Sequence, residues 1–97
     1  MELRYQGIDF EITPAIEEHI KEKFNKLPQF NGQLISATVR LKKNNADAKS
    51  YILDVNVASK LGDLHQSVTH TDVYRGLNEL ADKIIRQIRK QSEKHQH

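Results

Sequence analysis

Residues 1–28, MELRYQGIDFEITPAIEEHIKEKFNKLP, hold a strand, a helix start and a helix stop, and their order decides the fold. Within Met1–Gln6, Leu3 and Tyr5 alternate with Glu2, Arg4 and Gln6, the period of a strand with one apolar face. Ile8, Phe10 and Ile12 follow around Gly7 and lead into Thr13-Pro14. A threonine cap with proline at the first helical position starts a helix, because proline lacks an N–H that would have no partner there. Ile16, Ile20, Phe24 and Leu27 then recur at steps of four, four and three, one face of a helix. Pro28 stops it, and Phe30-Asn31-Gly32 makes the turn that follows.

Downstream, Ile35, Ala37, Val39 and Leu41 alternate with Ser36, Thr38, Arg40 and Lys42, a second strand with its apolar face on the first set. A polar turn at Asn44-Asn45-Ala46-Asp47 precedes a third strand, in which Tyr51, Leu53, Val55 and Val57 form the apolar face. Gly62-Asp63 turns the chain, and Leu64, Gln66 and Val68 mark a fourth, weaker strand. Thr71 or Asp72 caps a last helix with core stripe Val73, Leu77, Leu80, Ile84 and Ile88, widened by Ile85. The order is β-α-β-β-β-α. A helix between the first two strands requires a right-handed crossover and parallel pairing. The short turns that follow predict an antiparallel meander. One apolar face per strand puts both helices on the same side of a four-stranded mixed sheet, a two-layer α+β sandwich.

Ninety-seven residues make a single domain, 1–97, able to bury roughly 60–65% of its unfolded surface. Residues after about Gln91, 92–97, read as a flexible tail. The chain has no cysteine, which removes disulfides, thiolate ligands and a cysteine nucleophile and suits a cytoplasmic location. No basic segment followed by an apolar run opens the sequence, so no signal peptide is expected. No stretch approaches 18 apolar residues, so no membrane partner is expected. Phosphate-loop, nucleophile-elbow and dinucleotide motifs are absent, and no acid is spaced to complete a serine–histidine triad. Five histidines, His19, His65, His70, His95 and His97, lack any accompanying carboxylate cluster. His65 and His70, five apart in a strand, point to opposite faces. The expectation is a non-enzyme with no metal, cofactor or small-molecule substrate.

Charge is distributed unevenly. Residues 1–80 carry 10 basic and 11 acidic groups, whereas residues 81–97 carry five basic groups against Asp82 and Glu93. A neutral body with a basic end fits an anion-binding protein. On the first helix, His19, Lys23 and Lys26 form a stripe along one edge of the core face. On the last, Lys83, Arg86 and Lys90 recur at i, i+3, i+7, with Arg75 further up. With the helices side by side, the two stripes would border one groove. Cations repeating along a rigid helix edge suit a phosphate backbone. The same spacing also describes solubilising charges whose stems lie over the core edge. Among the aromatics, Tyr5, Phe10, Phe24, Phe30 and Tyr51 fall at core or rim positions. Tyr74 is the most exposed and reads as a lid over the core rather than a base-stacking platform.

The start MELRYQGIDFEITPAI, the helix IKEKFNKL (20–27) and the segment DVYRGLNELADKIIRQIRK (72–90) resemble the ribosome hibernation-promoting factors, in the superfamily of the ribosome-associated inhibitor protein Y. The resemblance spans nearly the whole chain. It departs at Arg75-Gly76-Leu77-Asn78, where the family commonly has an x-A-I-D run. A fold similar to a double-stranded-RNA-binding domain is implied. So is binding to the rRNA of the small ribosomal subunit, in its decoding channel, with inhibited translation and dormant ribosomes in starvation or stationary phase. Lys23 and Lys26 match the family's basic pair on the first helix. Lys83, Arg86 and Lys90 match the basic side of the second, with Arg89 a further candidate. The end at His97 looks like the short type, which implies ribosome dimers only with a separate modulation factor. Two rival readings are a generic double-stranded-RNA binder and a protein-interaction domain using the open sheet face.

Overall fold

The structure is a computed structural model that describes residues 1–28 and 32–94. In chain order the elements are β1 (Glu2–Ile8), α1 (Pro14–Phe24), β2 (Leu34–Lys43), β3 (Tyr51–Ser59), β4 (Leu64–His70) and α2 (Val73–Lys94). The sheet runs β1-β2-β3-β4, with β1 parallel to β2 and the other neighbours antiparallel. This is the mixed α+β sandwich expected from the patterning.

Local chemistry explains the boundaries. Thr13 caps α1 by accepting the Ile16 N–H at 3.3 Å, and Pro14 takes the first helical position. At α2 the cap is Asp72, whose Oδ1 accepts the N–H groups of Tyr74 (2.9 Å) and Arg75 (3.2 Å). Between β1 and α1, Asp9 adopts φ 48°, a left-handed conformation that aspartate tolerates better than most residues. Just before it, Gly7 meets the Phe10 carbonyl so closely that a Cβ would lie 1.9 Å from the oxygen. Regular α1 ends at Phe24, before Pro28, although Leu27 beyond it is still buried. Phe30 and Asn31 of the expected turn lie outside the described residues; Gly32 has φ 71°.

The core is one cluster fed by every layer: Ile16, Ile20 and Phe24 of α1, Ala37, Val39, Leu41, Leu53, Val55 and Val57 of the central strands, and Leu77, Leu80, Ile84 and Ile88 of α2. Ile35 departs from the expected alternation. It is 53% exposed, and Leu34 takes the inner position at 5%. The cause is an irregularity in the β2–β3 ladder: Leu34 pairs with Ser59 and Ser36 with Ala58, so Ile35 is an extra residue that resets the alternation.

α2 runs antiparallel to β4. Gly76 packs near His70, Gln66 Nε2 donates to Gln87 Oε1 at 2.9 Å, and Gln91 Nε2 donates to the Gly62 carbonyl at 2.9 Å. Gly76 is what lets the helix sit this low, because a Cβ there would meet Leu53 Cδ1 at 3.0 Å and His70 Cβ at 3.1 Å. Helix α2 continues past Gln91 to Lys94, with Ser92 buried, so the flexible-tail expectation for residues 92–94 meets a helix. For 95–97 it lies outside the described residues.

Candidate nucleic-acid interface

Which flank of each helix faces which neighbour is fixed by a few contacts. His19 of α1 lies between Tyr74 and Asn78 of α2: its Nε2 is 2.8 Å from Asn78 Oδ1, and its ring meets Tyr74 edge-to-face at 5.2 Å. The Tyr74–Asn78 flank of α2 therefore faces α1. At about 100° per residue, Lys83 is about 140° around the helix from Asn78, on the side of β4. There Lys83, Arg86 and Lys90 line a shallow groove of about 280 Å³ with Gln66 and Gln87. A second hollow continues it past Leu64, Gln87, Lys90 and Gln91 to Lys94.

The structure thus brings together three of the six candidate cations and keeps the others apart. The helices lie side by side, but the Lys83–Arg86–Lys90 stripe does not border the groove between them. Lys23 shares the flank of α1 that carries His19. Lys26 falls just beyond the last helical residue. Arg89 is eleven residues, about three turns, from Asn78 and so lies on the α1-facing flank of α2. The candidates consequently divide. Three follow the α2–β4 groove; the other three, Lys23, Lys26 and Arg89, lie outside it and are not brought into one cluster.

Some of the other surface cations are held in ion pairs, whereas Lys42, Lys43, Lys49, Lys60 and Lys94, like most of the candidates, are in none among the described residues. Arg4 is engaged by Glu2 at 3.0 Å, Lys21 by Glu17 at 3.0 Å and Arg40 by Asp54 at 3.1 Å. The hydrogen bond from Lys21 holds the Glu17 carboxyl below its ordinary value and raises the Lys21 ammonium. Among the described residues, Lys23, Lys26, Arg86, Arg89 and Lys90 make no such ion pair, and Lys83 has one loose contact with Glu79 at 3.7 Å. Cations without internal partners remain available to external anions.

Gln91 anchors this half of α2. Besides donating to Gly62, its Oε1 accepts the Ser59 hydroxyl at 3.3 Å, and Ser59 Oγ accepts the Leu61 N–H at 3.1 Å. Sequence reasoning missed Lys94, which sits four residues after Lys90 but in a segment expected to fray. It also missed the His19–Tyr74–Asn78 contact, which joins residues 59 apart in sequence. Tyr74, expected as a lid over the core, is 42% exposed and meets His19 edge-to-face. The histidines separate as expected. His65 Nδ1 is 2.6 Å from Asn56 Oδ1 on the open sheet face, while His70 accepts the Asp72 N–H beside α2. Among the described residues no group of three or more His, Asp or Glu side chains could hold a metal ion. No described helix is long and apolar enough to cross a membrane.

Fold and surface together define a class: a two-layer α+β domain with cations, most of them without ion-pair partners, along its helices. The chain belongs to the sigma 54 modulation protein / S30EA ribosomal protein family, whose model matches residues 3–96. It is 34% identical over 90 residues to a ribosome-associated factor Y of Haemophilus influenzae, covering 93% of this chain and 81% of that protein. It is 33% identical to a ribosome hibernation promoting factor of Klebsiella oxytoca, covering 97% of this chain and 96% of the relative. In three dimensions it resembles a ribosomal subunit interface protein from Coxiella burnetii, with a TM-score of 0.86 at 19% identity over 96% of this chain and 99% of that one.

Proposed function

We propose that this chain is a ribosome hibernation factor of the cytoplasm, binding rRNA in the decoding channel of the small ribosomal subunit. The observation that carries the reading is the cation-lined α2–β4 groove of Lys83, Arg86 and Lys90, on a chain whose relatives are named for ribosome hibernation and ribosome association. Lys23, Lys26 and Arg89 supply further phosphate contacts from outside that groove. Each cation that neutralises a phosphate releases counterions, so affinity is strong at low salt and falls steeply as salt rises.

The mechanism is occlusion. A rigid domain anchored by phosphate contacts takes the space that transfer and messenger RNA need, which inhibits translation and preserves dormant ribosomes. No bond is made or broken. Ribosome dimers form with a separate modulation factor. The test is competition on purified small subunits. Increasing amounts of this protein displace initiator transfer RNA, and each ligand weakens the other by the same factor because binding linkage is reciprocal. Simultaneous binding of both without mutual weakening contradicts occlusion.

A further inference from the structure

Tyr74, His19 and Asn78 have no part in the phosphate contacts described above, yet they form a cluster at the junction of the two helices. Tyr74 keeps 42% of its surface in solvent although it makes an inter-helix contact. Its contact with His19 is edge-to-face, with ring planes 88° apart, and such a contact occupies at most one face of each ring. Asn78 holds the imidazole at 2.8 Å through its Oδ1, which leaves the amide N–H groups to donate elsewhere. Tyr74 is therefore placed against a neighbouring ring that Asn78 holds, and it keeps much of its surface in solvent with polar donors beside it. Lys23, one turn along α1 from His19, adds a cation on the same flank. Nearby Asp72 is already engaged by the first N–H groups of α2 and lies 3.9 Å from Arg75, so its charge is partly offset.

We propose that Tyr74, held by His19 and Asn78, is a stacking platform for one unpaired nucleobase of the bound RNA. This rests on the rRNA-binding reading and sharpens it. Cations alone grip any phosphate backbone, whereas a stacking ring selects RNA in which a base is unstacked, as in a loop or bulge. The platform thus favours folded rRNA over uniform duplex.

The chain has no tryptophan, so Tyr74→Trp places a single indole at the platform. Its emission is recorded while small ribosomal subunits are added, beside co-sedimentation of the wild type, Tyr74→Trp and Tyr74→Leu over a salt series. Stacking on a base quenches the indole. Tyr74→Leu then binds about 5- to 150-fold more weakly, the range that loss of one stacked base gives. Its salt slope stays that of the wild type, because no phosphate contact is lost. Bound Tyr74→Trp with unquenched emission overturns the platform, as does emission that only shifts to the blue on contact with a ribosomal protein. Wild-type affinity in a normally folded Tyr74→Leu overturns it as well. In those cases rRNA binding by the cations stands. A wild type that fails to pellet with ribosomes overturns both.

Discussion

At the scale of single residues, two glycines carry the geometry for different reasons. Gly7 is required by a backbone oxygen, since a Cβ 1.9 Å from the Phe10 carbonyl has nowhere to go unless the β1–α1 connection moves. Gly7→Ala is expected to cost about 2–3 kcal/mol, in the range of overpacking. A urea melt reads this directly, and an unchanged midpoint would show that the connection is soft. Gly76 is a closer balance. Alanine in a helix interior ordinarily gains about 1 kcal/mol over glycine. Here the added Cβ presses on Leu53 and on the Cβ of His70, which cannot swing aside. Gly76→Ala should therefore melt no higher than the wild type. A clear gain in melting temperature would mean that α2 can lift off the sheet without loss.

At the scale of elements, α2 is both the longest element and the carrier of most candidate cations. Its two ends are tied by different devices, and each predicts a separate effect. Replacing the Asp72 cap by alanine leaves the Tyr74 and Arg75 N–H groups without their side-chain acceptor and should cost about 1 kcal/mol. Gln91→Ala removes the bonds to Gly62 and Ser59 and should cost about 1 kcal/mol more locally than globally. Faster amide exchange confined to residues after about Lys83 would be its signature. Uniform exchange across α2 would contradict the anchoring role. Element order, pairing directions and the helix caps were legible because alternation, the four-three step and Thr13-Pro14 each have a local cause. Ile35 was not, since one extra residue in a ladder resets the alternation without changing composition. The site was legible in part. Spacing selects Lys83, Arg86 and Lys90 as one stripe, but which neighbour the stripe faces depends on the His19–Asn78 contact across 59 residues. Lys94 was hidden by the expectation of fraying, which the buried Ser92 and the Gln91 anchor oppose.

At the scale of the whole molecule, the claim is that a small rigid domain turns its helical cations toward rRNA. The measurement that tests it most directly is co-sedimentation with small ribosomal subunits over a salt series, comparing the wild type with a Lys83→Glu, Arg86→Glu, Lys90→Glu triple variant, beside thermal melting of both. None of the three side chains belongs to the core cluster, so the variant should fold. Reversing charge in the second half of α2 opposes the helix dipole and lowers the melting temperature slightly. Each lost phosphate contact removes roughly 0.7–0.9 from the slope of log affinity against log salt, so three flatten it by about 2–3. The account predicts a folded variant that no longer pellets with subunits at moderate salt. A variant that melts normally and pellets like the wild type, with the same salt slope, would contradict it and leave the stripe as a solvated helix face.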